Sequence, residues 1–184
     1  MTSPASVDAD ERLRLFCGLR LPDDVVADLA AWQEEHLRGG RTVPRTNLHI
    51  TLAFLGSRPR TDLDSVAGAL RAAATAVEPI ELEPVRYREG RSAGMLVLRD
   101  GSGAARRLAE DVQERLEGLG VYRREAREWL PHVTVARFRE RPRLRPPLPA
   151  LGPFAPSDAA VYLSKLRQGG AEYVVLESVT LGGT

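Results

Sequence analysis

Apolar positions along the chain fall in short alternating runs separated by stretches of helical spacing. RLRLFCGLRL (12–21) alternates as a strand does. PDDVVADLAAWQEEHLRGG follows, with Asp23 and Asp24 at a helix start, Val25, Val26, Leu29 and Trp32 on one side, and Gly39–Gly40 as a stop. NLHITLAFLG (47–56) predicts the next strand. TDLDSVAGALRAAATAV predicts an Ala-rich helix through Leu63, Val66, Leu70 and Val77. IELEPVRYREG and AGMLVLRD predict two strands joined by a Gly/Ser-containing turn.

The second half repeats this plan more loosely. SGAARRLAEDVQERLEGLG is an amphipathic helix through Ala105, Leu108, Val112, Leu116 and Leu119, ended by Gly120. LPHVTVARFRE predicts a strand. RPRLRPPLPALGPFAPSD cannot be regular throughout, because its prolines remove donors and fix the backbone. AAVYLSKLRQGGAEYVVLESVTL predicts a hairpin around Gln168–Gly169–Gly170. Strands, helices and hairpins mixed in this way define an α+β arrangement. Their order does not alternate as a doubly wound sheet would, and no Gly-rich phosphate loop follows a strand.

Composition narrows the classes. With 184 residues and a formal charge of +1, the chain suits one large domain or two small lobes, and its net charge does not by itself argue for nucleic acid. The cationic side chains are almost all arginine, Lys165 being the only lysine. That is either a compositional bias or a use of guanidinium forks on phosphate. Cys17 is the single cysteine, which excludes a disulfide framework and is expected to be a small buried hydrophobe. MTSPASVDADE lacks the pattern of a signal peptide, and no stretch reaches the length of a membrane span. A loose tail over residues 1–11, a single domain over 12–184, a cytoplasmic location, no membrane and a monomeric state are the expectations.

The unusual feature of NLHITLAFLG is His49 and Thr51 inside an apolar run. Alternation puts them on one strand face and Leu48, Ile50 and Leu52 on the other. LPHVTVARF repeats it: His132 and Thr134 lie two apart, with Val133 and Val135 on the opposite face. One His-x-Thr is a weak signal, but a pair with one member in each half is a strong one. His36, among Glu34, Glu35 and Arg38, has no such company and is expected to be a solvated helix-end residue.

Two inward-facing imidazoles suit in-line displacement at phosphorus, which needs a base on the attacking oxygen and an acid on the departing one. Their ordinary pKa lets one be neutral while the other is protonated. Each threonine hydroxyl can donate to a non-bridging phosphate oxygen. This chemistry requires no metal and no cofactor. A two-histidine zinc site is the chemical rival, but no third ligand accompanies the motifs.

The two His-x-Thr-x motifs, His49–Leu52 and His132–Val135, resemble those of the 2H phosphoesterase superfamily. The order and spacing of RLFCGLRLP, NLHITLAFLG, PHVTVARF and VYLSKLRQGGAEYVVL are similar to its RNA 2′,3′-cyclic phosphodiesterases, also called 2′-5′ RNA ligase-like proteins. The resemblance implies two pseudo-symmetric α+β lobes with antiparallel sheets around a central cleft. It implies hydrolysis of an RNA 2′,3′-cyclic phosphate to a 2′-phosphate, with His49 as proton donor and His132 as proton acceptor, and reversible 2′-5′ ligation by the same groups. The partners implied are RNA ends or nucleotides bearing the cyclic phosphate. A 2H enzyme for another small cyclic nucleotide phosphate, and a non-catalytic RNA- or nucleotide-binding module, are the alternatives.

Thr51, Thr134 and Arg137 are the candidate phosphate-binding residues. Arg137 matches a family arginine, yet strict alternation sends it to the face opposite His132. It reaches the phosphate only if the strand ends, twists or bulges first. The first motif has Phe54 at the matching position, and Thr42 stands where relatives often carry an aromatic. Arg137, Arg139, Arg141, Arg143 and Arg145 would line one side of an extended strand, or else sit in a solvated loop. Phe138 and Trp129 are expected in the core or the cleft wall.

Overall fold

The structure is a computed structural model that describes residues 11–182. Of the expected tail, only Glu11 is among the described residues; its carboxylate accepts a bond from Arg60 at 2.8 Å. The elements are β1 (Arg12–Arg20), α1 (Asp23–His36), β2 (Arg41–Thr42), β3 (His49–Pro59), α2 (Leu63–Thr75), β4 (Leu82–Glu89), β5 (Ala93–Asp100), α3 (Ala104–Gly118), β6 (His132–Arg137), β7 (Asp158–Arg167) and β8 (Gly170–Val179). Among the described residues no helix is long and apolar enough to cross a membrane.

All the strand pairings are antiparallel, in the order β4-β5-β6-β3-β1-β7-β8, with the short β2 on β6. The sheet has two halves, because β3 and β6 meet at one register pair, Ile50 with Val133. Each half holds one His-x-Thr strand next to that seam. This is the two-lobed α+β arrangement expected from the sequence. Ile50 and Val133 are fully buried there in the larger core, which runs beneath both lobes, while Phe16, Ala160 and Tyr162 form a second, smaller cluster. Burial of this kind contributes roughly 1.5–3 kcal/mol for each large apolar side chain.

The helices close the core as their apolar stripes require. Val66, Leu70 and Ala74 of α2 and Leu108, Val112 and Leu116 of α3 are all buried. α2 packs on β7 and β8, and α3 on β3 and β5, so α3 spans the seam. Cys17 is buried, and burial pushes its thiol up to about 12, which keeps it protonated and unreactive. His36 ends α1 beside Glu35, as expected. The Pro/Arg-rich connection up to β7 has no regular element, but hydrogen bonds tie it down at several points. Trp32 Nε1 donates to Pro147 O at 2.8 Å, and Phe154 exchanges backbone bonds with Leu82.

Three details depart from the expected elements. β3 begins at His49 rather than Asn47, because Arg45–Asn47 form a single 3₁₀ turn. β2 was not expected; it is a two-residue edge strand with no periodicity to detect. β6 stops at Arg137 rather than continuing to Glu140, and Phe138 N bonds Ser92 O.

Candidate active site

The chain's departures from regular pairing are what build the site. Along β3, Phe16 and Cys17 face Phe54 and Ala53, but Gly18 faces Thr51, so Leu52 is skipped. Along β6, Gly94 faces Ala136 and Met95 faces Thr134, so Val135 is skipped. Both strands thus carry a one-residue bulge at the same place, after the threonine. The burial sequences match position by position. In each motif His and Thr are half-buried, the next two residues after Thr are buried, and the third emerges exposed. That third residue is Phe54 in β3 and Arg137 in β6. The bulge resolves the conflict over Arg137 by moving it onto the His132 and Thr134 face.

A buried glutamine bonds the carbonyl of the skipped residue in each strand. Gln113 of α3 donates Nε2 to Leu52 O at 2.8 Å. Gln33 of α1 donates Nε2 to Val135 O at 2.7 Å and to Val43 O at 3.1 Å. Both glutamines are buried. Val135 O also accepts from Val43 N at 3.0 Å, so the cost of about 1–3 kcal/mol for a buried acceptor that loses its donor falls on Gln113 and Leu52 O. Trp129 Nε1 donates to Thr51 O at 2.9 Å, which fixes the first motif from the side. Trp129 is therefore part of the cleft wall, as expected.

The two histidines are held alike. His49 Nδ1 lies 2.7 Å from Asn47 O, and His132 Nδ1 lies 2.8 Å from Leu130 O. A carbonyl only accepts, so each Nδ1 carries a proton and each Nε2 is left for chemistry. His49 Nε2 lies 2.9 Å from the Thr51 hydroxyl. His132 Nε2 has no protein hydrogen-bond partner among the described residues.

Their surroundings differ. The His49 ring is caged by Phe16, Tyr162 and Tyr173, with centroids 4.8, 5.5 and 5.3 Å away. Gly18 permits this closeness: a methyl there would sit 2.9 Å from Ile50 O and 3.3 Å from His49 Cδ2. Burial pulls the His49 pKa down to about 4. The bond to Asn47 O opposes this in part, and electrostatic interaction with His132 and Arg137 lowers it further. Asn47 also anchors the hairpin of β7 and β8: its Nδ2 donates to Ala171 O at 2.7 Å, and its Oδ1 accepts from Tyr173 N.

His49, Thr51, Thr134 and Arg137 line one cavity of about 220 Å³. Phe54, Tyr173, Arg41 and the Gly169–Gly170 turn complete its rim. His132 opens onto an adjoining hollow that shares Thr51 and Phe54 with the cavity. Four of the five expected site residues therefore line one cavity, and His132 lines the hollow beside it. Phe54 is 47% exposed, and the Arg14 guanidinium lies 4.8 Å from its ring centre. Thr42 also lines the cavity, so Phe54 and Tyr173 are its rim aromatics. The stripe from Arg137 to Arg145 does not form, because Arg143 has a positive φ of 57° and its N bonds Glu89 Oε2. Arg139 stays beside Arg137, while Arg141, Arg143 and Arg145 surround Glu89 and Tyr87 in a separate hollow.

Asn47, Gln33, Gln113 and Arg41 were not singled out in the sequence. The glutamines carried a signal, since each interrupts the apolar stripe of an amphipathic helix; Arg41 carried none.

Comparison with known proteins agrees with this geometry. Residues 21–167 match the 2′-5′ RNA ligase superfamily, and the chain belongs to that family. It is 33% identical to the RNA 2′,3′-cyclic phosphodiesterase of Thermus thermophilus, over 93% of this chain and 91% of that one. It is 25% identical to the protein of the same name in Methanocaldococcus jannaschii, over 69% of this chain and 72% of that one. A solved structure of a Thermus thermophilus protein superimposes with a TM-score of 0.78 at 28% identity, over 93% of this chain and 99% of that one. E. coli LigT complexed with 3′-AMP has the same fold, with a TM-score of 0.76 at 23% identity, over 92% of this chain and 99% of that one.

Proposed function

We propose that this protein hydrolyses RNA 2′,3′-cyclic phosphate ends to 2′-phosphates, using its two histidines as acid and base. The observation that carries the reading is the matched pair His49 and His132, each with Nδ1 tied to the carbonyl two residues earlier, so that Nε2 is the nitrogen turned to the Thr51 hydroxyl in one and left unpartnered among the described residues in the other. The name shared by its two relatives supplies the substrate class.

In this mechanism His132 Nε2, whose lone pair is free, takes a proton from water as the water oxygen bonds to phosphorus. The phosphorus–O3′ bond breaks, and His49 gives its proton to O3′. Thr51, Thr134 and Arg137 hold the non-bridging oxygens, where charge accumulates. His49 can act as donor because a phosphate anion in the cavity favours its charged form and offsets the burial that lowers its pKa. With a 5′-hydroxyl in place of water as the nucleophile, the same groups open the cyclic end to a 2′-5′ linkage, and attack by O3′ on that linkage reverses the step. Both proton transfers are made by side chains, so the mechanism calls for neither metal nor cofactor.

The test is to incubate the protein, with chelator, with a short RNA ending in a 2′,3′-cyclic phosphate and to identify the product by phosphorus NMR. A 2′-phosphate is expected. A 3′-phosphate would refute the bond assignment, and an unchanged substrate would refute the activity.

A further inference from the structure

Two hollows lead away from the phosphate-binding cavity, and they differ in charge. One shares Thr51 and Phe54 with the cavity, and its Glu125 and Glu128 are balanced by Arg88 and Arg127 on the same wall. The other shares Arg41, Arg137 and Tyr173 with it and continues past Phe138 to Arg139. In this second groove Arg41, Arg137 and Arg139 are all exposed, and none pairs with a carboxylate among the described residues. Arginines such as Arg20, Arg71, Arg99 and Arg107, by contrast, each hold one. The single carboxylate on the groove wall, Glu140, is bonded to none of the three.

The backbone fixes this row. Arg41 of β2 is paired in register with Arg137 of β6, which puts two guanidiniums side by side at the sheet edge. The tip of the hairpin between β7 and β8 covers Arg41: a methyl on Gly170 would lie 2.8 Å from Arg41 Nη2, so a larger residue would displace it. Arg139 follows two residues after Arg137, beyond the end of the strand. Tyr173 stands where cavity and groove join, and its ring can stack a base.

An RNA with a cyclic phosphate at its 3′ end continues in one direction only, towards its 5′ end. It therefore needs one groove, and three unpaired guanidiniums against one carboxylate suit a phosphodiester backbone better than a wall where two arginines and two glutamates balance. We propose that Arg41, Arg137 and Arg139 form a track for the single-stranded RNA preceding the cyclic end, which makes oligonucleotides better substrates than mononucleotides. This rests on the cyclic phosphodiesterase reading and deepens it.

The experiment measures kcat/KM for a hexanucleotide ending in a 2′,3′-cyclic phosphate and for a mononucleotide 2′,3′-cyclic phosphate, at 50 and 200 mM NaCl. Two backbone phosphates held by Arg41 and Arg139 should make the hexamer lose about sevenfold more than the mononucleotide over that range. In Arg139→Ala the excess should shrink to about threefold, and Arg139→Lys should retain it. Equal salt dependence of the two substrates, or an unchanged excess in Arg139→Ala, would overturn the track. If neither substrate turns over, the proposed activity has failed. The track is then decided by fluorescence anisotropy of the labelled hexamer ending in a 2′-phosphate, with the same variants and the same salt comparison.

Discussion

Lowering the pH should destabilise this protein through His49 in particular. Its ring is enclosed by Phe16, Tyr162 and Tyr173, and burial brings its pKa from the ordinary 6.5 to about 4. Between those two values the unfolded chain binds a proton that the folded protein refuses, so stability falls as pH falls. The contribution is fully present above pH 6.5, erodes below it and is gone beneath pH 4. At pH 4.5 the loss comes to about 2.5 kcal/mol, from 1.36 kcal/mol for each pKa unit. Urea unfolding at pH 7.5 and 4.5 measures it, with His49→Ala as the reference. Carboxylates titrate in both proteins and cancel, so the wild type should lose about 2.5 kcal/mol more than the variant. Equal losses would mean that the aromatic cage does not desolvate the ring. Histidine NMR titration gives a second reading, with a His49 midpoint near 4 that rises when inorganic phosphate saturates the protein. A midpoint near 6.5 in the phosphate-free protein would refute the same reasoning.

His49→Ala and His132→Ala should each reduce turnover of a cyclic-phosphate RNA by about 10²–10⁴ while the far-ultraviolet circular dichroism stays that of the wild type; near-normal rates would remove the acid–base assignment. Arg137→Ala should lower kcat/KM by about 10²-fold, and Arg137→Lys should restore only part of it because the fork is lost; full recovery with lysine would reduce Arg137 to a point charge. Gln113→Leu leaves Leu52 O without its partner and should cost about 1–3 kcal/mol by urea unfolding, with a fall in kcat as Thr51 and Phe54 lose their placement; an unchanged kcat would show that the bulge holds without the clamp. Phe54→Ala, at an exposed ring, should leave stability within about 0.5 kcal/mol of wild type and raise KM for nucleotide substrates; an unaltered KM would remove the ring from binding.

The site was legible in unequal parts. His49, Thr51, His132 and Thr134 could be read because a polar pair on one face of an otherwise apolar strand must look onto something polar, and the pair occurs twice. Arg137 could not be placed, since period-two alternation sends it to the wrong face and a bulge has no composition of its own. The residues that hold the bulges were less visible still. Gln33 and Gln113 lie on helices far along the chain from the carbonyls they satisfy. Arg41 belongs to a strand of two residues whose only signature is its partner.

Local order along the chain was enough to locate the main strands and helices, to tell their apolar faces, and to reveal two equivalent histidine strands. Those properties depend on neighbours a few positions apart, which alternation and helical spacing record directly. Folding in three dimensions settled the rest: the two strands meet at Ile50 and Val133, the bulges turn Phe54 and Arg137 into the same cleft, and aromatics cage His49. Each of these depends on contacts between distant segments. A backbone step of one residue, fixed by a glutamine on another element, reverses the direction of every side chain after it.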